Sequence, residues 1–135
     1  MKPDFTGIWE FNPKKSTLQI EPPDSTVMVI DHHEPVFRLS RTHTRSNKSD
    51  TLSVDLMTDG RELVLDQGEF HIRGHAYWDS DVLVFDSILT RAQEEATNDV
   101  RYTLSGTLNS LIAEETFRSK RLNYHNVWVL DRKKR

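Results

Sequence analysis

Residues 4–16 read DFTGIWEFNPKKS. Phe5, Gly7, Trp9 and Phe11 fall on one face of an extended chain and Thr6 and Glu10 on the other, the period-two pattern of a half-buried strand. Trp9 is a large apolar body able to plug one end of a closed sheet. Gly7, lacking a side chain, lets the strand bend or another group pack close. Asn12-Pro13 then ends the pairing, because proline has no N–H to give to a ladder. Gly7 and Trp9 are therefore expected to close a barrel rather than to touch a ligand.

The same alternation recurs to the end of the chain. Residues 26–33, 36–44, 51–57 and 61–66 are short β-rich runs separated by Glu34-Pro35, by residues 46–50 and by Thr58-Asp59-Gly60. Asp59-Gly60 is the sharpest hairpin signal, since a tight turn needs positive φ, which glycine supplies and aspartate tolerates. Residues 69–78, 81–90, 97–105, 107–117 and 121–130 repeat the scheme, with the polar stretch 91–96 as a hairpin tip. Roughly eight to ten short strands at even spacing predict an all-β fold, an up-and-down antiparallel β-barrel, formed by residues 1–135 as one domain. Closure would remove the edges and bury the apolar face that a flat sheet exposes. Residues 12–25, with Pro13, Pro22 and Pro23, form the one link irregular enough to cover an opening.

Gly7-Ile8-Trp9 on the first strand resembles the hallmark of the lipocalin and fatty-acid-binding superfamily, the calycins. The longer stretch from Phe5 to Ser16, with Thr58-Asp59-Gly60 and Trp78-Asp79-Ser80-Asp81-Val82-Leu83-Val84, is similar to small bacterial lipocalin-like proteins of unassigned function. The resemblance implies a lipocalin-like barrel and a late arginine packed on the first tryptophan, for which Arg118 and Arg121 are the candidates. A Thr-Asp-Tyr segment of lipocalins is absent, and the Pro-rich link is not expected to form the helix-turn-helix lid of fatty-acid-binding proteins.

Composition narrows the functions. The 135 residues carry 18 Lys and Arg against 21 Asp and Glu, so no broad positive field invites nucleic acid or anionic lipid. No apolar run is long enough for a membrane span. Arg132-Lys133-Lys134-Arg135 reads as a solvated tail. Cysteine is absent, and with it disulfides and thiol chemistry. Met1-Lys2-Pro3 leads straight into folded sequence, which predicts a cytoplasmic protein.

With the Phe5–Phe11 face inward, alternation points Phe37, Leu39, Arg41 and His43 into the barrel on the third strand. It does the same for Phe70, Ile72, Ala76 and Trp78 on the sixth, and for Tyr102, Tyr124 and Trp128 later. An interior lined this way is apolar and aromatic with a few polar anchors, the composition of small-molecule sites. Arg41, whose planar fork can grip a carboxylate in two places, His43, Trp78, Tyr102 and Tyr124 are the expected ligand contacts; the commoner fate of such an arginine is to reach water. No catalytic residue, metal site or cofactor is assigned. On a strand His71 and His75 lie roughly 13 Å apart at about 3.3 Å per residue, and adjacent His32 and His33 point to opposite faces, so solvated histidine is the expectation. His43 or His125 could serve a haem, though no pattern singles either out.

The expected function is binding of a small apolar or amphipathic molecule without turnover. Two alternatives stand beside it. One is a cofactor-free barrel enzyme using Tyr102, Tyr124, Arg41 and Glu114 as acid-base groups. The other is a packed barrel acting through its surface or as a homodimer, with Val82, Val84, Val127 and Val129 as outer apolar patches.

Overall fold

The computed structural model describes residues 2–133, so Lys134 and Arg135 of the basic cluster lie outside the described residues. The strands are β1 (Gly7–Phe11), β2 (Ser25–His33), β3 (Val36–Arg45), β4 (Lys48–Met57), β5 (Glu62–Gln67), β6 (Phe70–Asp79), β7 (Val82–Arg91), β8 (Glu94–Leu104), β9 (Ser110–Ser119) and β10 (Asn123–Arg132). They form one antiparallel sheet in the order β4-β3-β2-β1-β10-β9-β8-β7-β6-β5, a nearly closed up-and-down barrel. The described residues contain no helix.

Strands run further into the polar separators than alternation alone suggests. Ser46-Asn47 and Ala92-Gln93 each take two consecutive left-handed residues, with φ of 49° and 67° and of 50° and 67°. That two-residue turn matches the twist of the flanking strands, so Lys48–Asp50 and Glu94–Ala96 continue the ladder instead of looping out.

Asp59-Gly60, by contrast, makes no hairpin. No ladder joins β4 to β5, the two end strands of the sheet. The loop between them straddles the seam: Thr58 N–H donates to Pro35 O and Gly60 N–H to Ala76 O, both at 2.8 Å. Higher up, Gln67 Nε2 reaches Thr51 O at 3.0 Å. Leu52 and Val54 on one side and Leu63 and Leu65 on the other line the interior beside this gap. Gly74, within β6, is needed for a different reason: a Cβ there would stand 2.6 Å from Asp86 O and 2.8 Å from the Phe85 ring.

The closed end answers the opening stretch. Trp9 is fully buried and donates from Nε1 to Phe5 O at 3.0 Å. Arg132, its register partner on β10, lays its guanidinium 4.2 Å from the Trp9 ring centre and donates from Nη1 to Thr6 O at 3.0 Å. A Cβ on Gly7 would fall 2.6 Å from that Nη1, and Gly7 has φ of 154°, which side-chain-bearing residues avoid. The late arginine on the first tryptophan is thus Arg132. Arg121 instead pairs with exposed Glu94 and Arg118 lies along an outer groove. Reading residues 132–135 as a solvated tail fails for the first two: β10 runs through Arg132, and Lys133 N–H donates to Ile8 O at 2.8 Å.

Around this plug Phe5 packs against Phe37, Trp78 and His32, with ring centres 5.8, 6.2 and 5.7 Å away. Each such pair adds about 0.5–1.5 kcal/mol beyond its buried area. His32 is therefore buried, contrary to the expectation for a strand-end histidine. Phe5 N–H donates to its Nδ1 at 3.2 Å, which leaves Nε2 to donate to Glu34 Oε2 at 2.6 Å. The expected outer patch at Val84 is also covered: this residue, between Tyr77 and Arg101 in register, is fully buried.

Residues 12–24 run along the flank of β10 below the end of β1. Asn12 N–H donates to Val129 O, and Thr17 exchanges two backbone hydrogen bonds with Val127. Leu18 and Ile20 turn inward against the core. The link covers the barrel's flank without forming a helix.

Candidate functional site

Above the aromatic plug, the inward faces of β2 to β10 do not meet. They enclose a cavity of about 250 Å³. Met28, Leu39, Phe85, Leu89, Ile72 and Val100 give it an apolar wall, and Phe70 stands at its rim. A larger groove of about 710 Å³ lies across the outside of β6 to β9, but it is open to solvent and lined by charged groups such as Arg73, Asp86, Asp99 and Arg118.

Polar groups interrupt the wall on two sides. On β3, the alternation that buries Phe37 and Leu39 carries Arg41 and His43 into the cavity. Arg41 is half-buried, and its Nε is buried with no hydrogen-bond partner among the described residues. His43 accepts or donates at Nδ1 with buried Thr26 Oγ1 at 2.7 Å and stacks on Trp128 with ring centres 5.5 Å apart. Burial, then the charges of Arg41 and Arg45, push its imidazole down to about 4. It is a neutral ring near pH 7.

Opposite lies Glu115 of β9. Asn126 Nδ2 and Trp128 Nε1 both donate to its Oε1 at 3.0 Å, and Asn98 Nδ2 donates to Oε2 at 3.0 Å. Asn126 is itself fully buried, and its Oδ1 accepts from Gln19 N–H of the link at 2.8 Å. The irregular segment therefore orients a group inside the barrel. Tyr102, also buried, has its phenol pushed up to about 12 by burial, with Arg41 opposing and Glu115 adding. Tyr124 is raised to about 12 by burial and Glu115, against Arg41. Both phenols keep their protons and can donate.

Arg41, His43 and Tyr102 are thus brought together on the cavity wall. Tyr124 is not on the wall; it stacks on Phe117 at 4.8 Å, near enough to feel Arg41 and Glu115. Trp78 sits at the closed end, where its Nε1 donates to Glu34 Oε1 at 2.8 Å, and takes no part in the lining. Glu114, suggested as an acid-base group, is exposed on the outer face, because in β9 the inward register runs Leu111, Ala113, Glu115. That register, read from Leu111, was the signal for Glu115; the same period of two from Tyr102 and Trp128 marks Asn98 and Asn126. His125 lies outside, bonded to Thr116. Among the described residues no three His, Asp or Glu side chains converge to hold a metal ion, and no helix is long and apolar enough to cross a membrane.

No family model matches the sequence, and no curated protein matches it. Solved structures do match the fold. A secretory abundant heat soluble protein from Ramazzottius varieornatus superposes with a TM-score of 0.67 at 10% identity, over 95% of this chain and 94% of that one. Zebrafish ileal bile acid-binding protein complexed with cholic acid gives 0.61 at 15%, over 96% and 98%. A Schistosoma mansoni fatty acid binding protein in complex with arachidonic acid gives 0.58 at 10%, over 96% of each chain. The chain has the fold of the calycin-type barrels of fatty-acid-binding and lipocalin-like proteins. At this identity the likeness concerns architecture.

Proposed function

We propose that the protein binds one small apolar or amphipathic molecule with an acidic group inside its barrel and releases it unchanged. The observation that carries this is the mostly apolar cavity with half-buried Arg41 on its wall. A carboxylate that meets a guanidinium in such surroundings gains a charge-assisted hydrogen bond, worth about 1.5–3 kcal/mol. Tyr102 supplies a second, protonated donor beside Arg41. At about 250 Å³ the space lies just under the roughly 300–1,000 Å³ of ordinary ligand sites, so the guest is compact. Two barrels of the same shape hold acids, cholic acid in one and arachidonic acid in the other. The resemblance of residues 5–16 to small bacterial lipocalin-like proteins is the ground for assigning this carrier to a bacterium.

Thermal unfolding with decanoic acid is the test. At about one hundred times Kd the ligand adds about 2.7 kcal/mol, which at this chain size raises Tm by roughly 10 °C. Arg41→Ala is expected to weaken binding about 10- to 100-fold, the worth of a charge-assisted hydrogen bond. No shift with any medium-chain acid, or equal affinity in the variant, overturns the reading.

A further inference from the structure

Resting on the carrier reading above, we infer that the guest is amphoteric, an acid with an ammonium group on the same apolar body, and that Glu115 receives the ammonium while Arg41 receives the acid. The charged side chains on the cavity wall are Arg41, Asp50 and Glu115, one cation against two anions. A plain carboxylate entering that space would raise the surplus of negative charge. A guest that brings its own cation leaves the surplus unchanged.

The three charges do not cancel one another. Among the described residues Arg41 forms no ion pair, and neither does Asp50 or Glu115. Asp50 is exposed near the start of β4, where water and salt screen it. Glu115 is half-buried in the inward register of β9 and is screened less. Its carboxylate takes three N–H donors, two on Oε1 and one on Oε2, all from neutral groups that leave its charge in place. A carboxylate offers about four lone-pair sites, so Oε2 has room for one more donor. His43 supplies no cation, because its ring is neutral near pH 7. Trp128 stacks on His43 and donates from Nε1 to Glu115, which brings the polar end of β3 and Glu115 to one indole. Arg41 and Glu115 also act on the same Tyr102 phenol, with opposite sign. The polar end of a guest therefore meets both a positive and a negative group, and setting like charge against either costs binding.

The experiment is calorimetric titration of the wild-type protein at pH 7 with decanoic acid, 2-aminodecanoic acid, 4-aminodecanoic acid and decylamine. One of the two amino acids is expected to bind roughly tenfold or more tightly than decanoic acid, the worth of one charge-assisted hydrogen bond, and more tightly than decylamine. N-acetylation of that amino acid, which removes its positive charge, is expected to abolish the gain, a readout that needs no variant. In Glu115→Gln the two probes are expected to move in opposite directions. Decanoic acid gains about threefold or more, since a like charge has gone, and the amino acid loses about tenfold. Decanoic acid binding as tightly as both amino acids overturns the inference and leaves the carrier reading standing. A preference that survives Glu115→Gln, or a variant that weakens both probes alike, overturns the assignment to Glu115. Decylamine binding as tightly as the amino acid, or binding of none of the acids, overturns the acid-carrier reading together with the inference.

Discussion

Gly7→Ala tests the physical account of the closed end. The added methyl would lie 2.6 Å from Arg132 Nη1, at a backbone φ of 154°. Two costs follow, and they can be separated. Holding alanine in a glycine-only region costs on the order of 1–3 kcal/mol in either background. Displacing Arg132 costs more, because its guanidinium stacks on Trp9 and donates to Thr6 O and Leu108 O. Losing the stacking is worth about 0.5–2 kcal/mol and the charged hydrogen bonds about 1.5 kcal/mol more. Gly7→Ala should therefore cost about 3–6.5 kcal/mol in the wild type but only about 1–3 kcal/mol where Arg132 is already alanine. Urea unfolding of the four proteins of the cycle reads this out, with a coupling of about 2–3.5 kcal/mol appearing as roughly a 1–2 M difference in midpoint shift. A coupling near zero would refute the claim that Gly7 is glycine because Arg132 must reach Trp9.

Further outcomes follow from the same geometry. Asn126→Ala, which removes the group joining Gln19 to Glu115, should cost about 2–3 kcal/mol and speed amide hydrogen exchange at Thr17 and Gln19; unchanged exchange there would show that Asn126 does not hold the link. Burial pushes the Glu34 carboxyl up, yet hydrogen bonds from His32, Trp78 and Thr58 outweigh it and hold it below the ordinary 4.5. Its contribution is present above that value and lost as pH falls through the lower folded one, so between pH 5 and 3 Glu34→Ala should lose less stability than the wild type in urea titrations. His43, held near 4 against an ordinary 6.5, takes its proton more readily when unfolded, so the fold loses stability as pH drops from about 6.5 towards 4. Its ring proton resonances should stay unshifted until pH nears 4, and a midpoint at 6 or above would place the ring in solvent.

The strands were legible because one face of each is dry, which forces a period of two wherever the chain pairs. Arg41, His43 and Tyr102 were legible for the same reason, being extrapolations of Phe37, Leu39 and the β8 register into the cavity. What alternation could not show is where along a strand an inward residue falls. Trp78 and Phe70 share a face of β6, yet one is pinned to Glu34 at the closed end and the other stands at the rim. Local turn chemistry misled at Asp59-Gly60, where backbone bonds to Pro35 and Ala76 hold the loop across a seam rather than in a hairpin. Terminal charge misled at Arg132, whose partner, Trp9, lies at the other end of the chain. Glu114 and Glu115 differ by one register step, and that step separates solvent from the cavity.

The most direct test of the central claim, an interior that admits a guest, is isotope-filtered NMR with ¹³C-labelled decanoic acid. Nuclear Overhauser contacts from the acid's methylenes to the Leu65, Ile72 and Leu89 methyls, which line the cavity, are the predicted result. Contacts to the exposed Val29 and Val64 methyls alone would contradict it, placing the acid on the outer face.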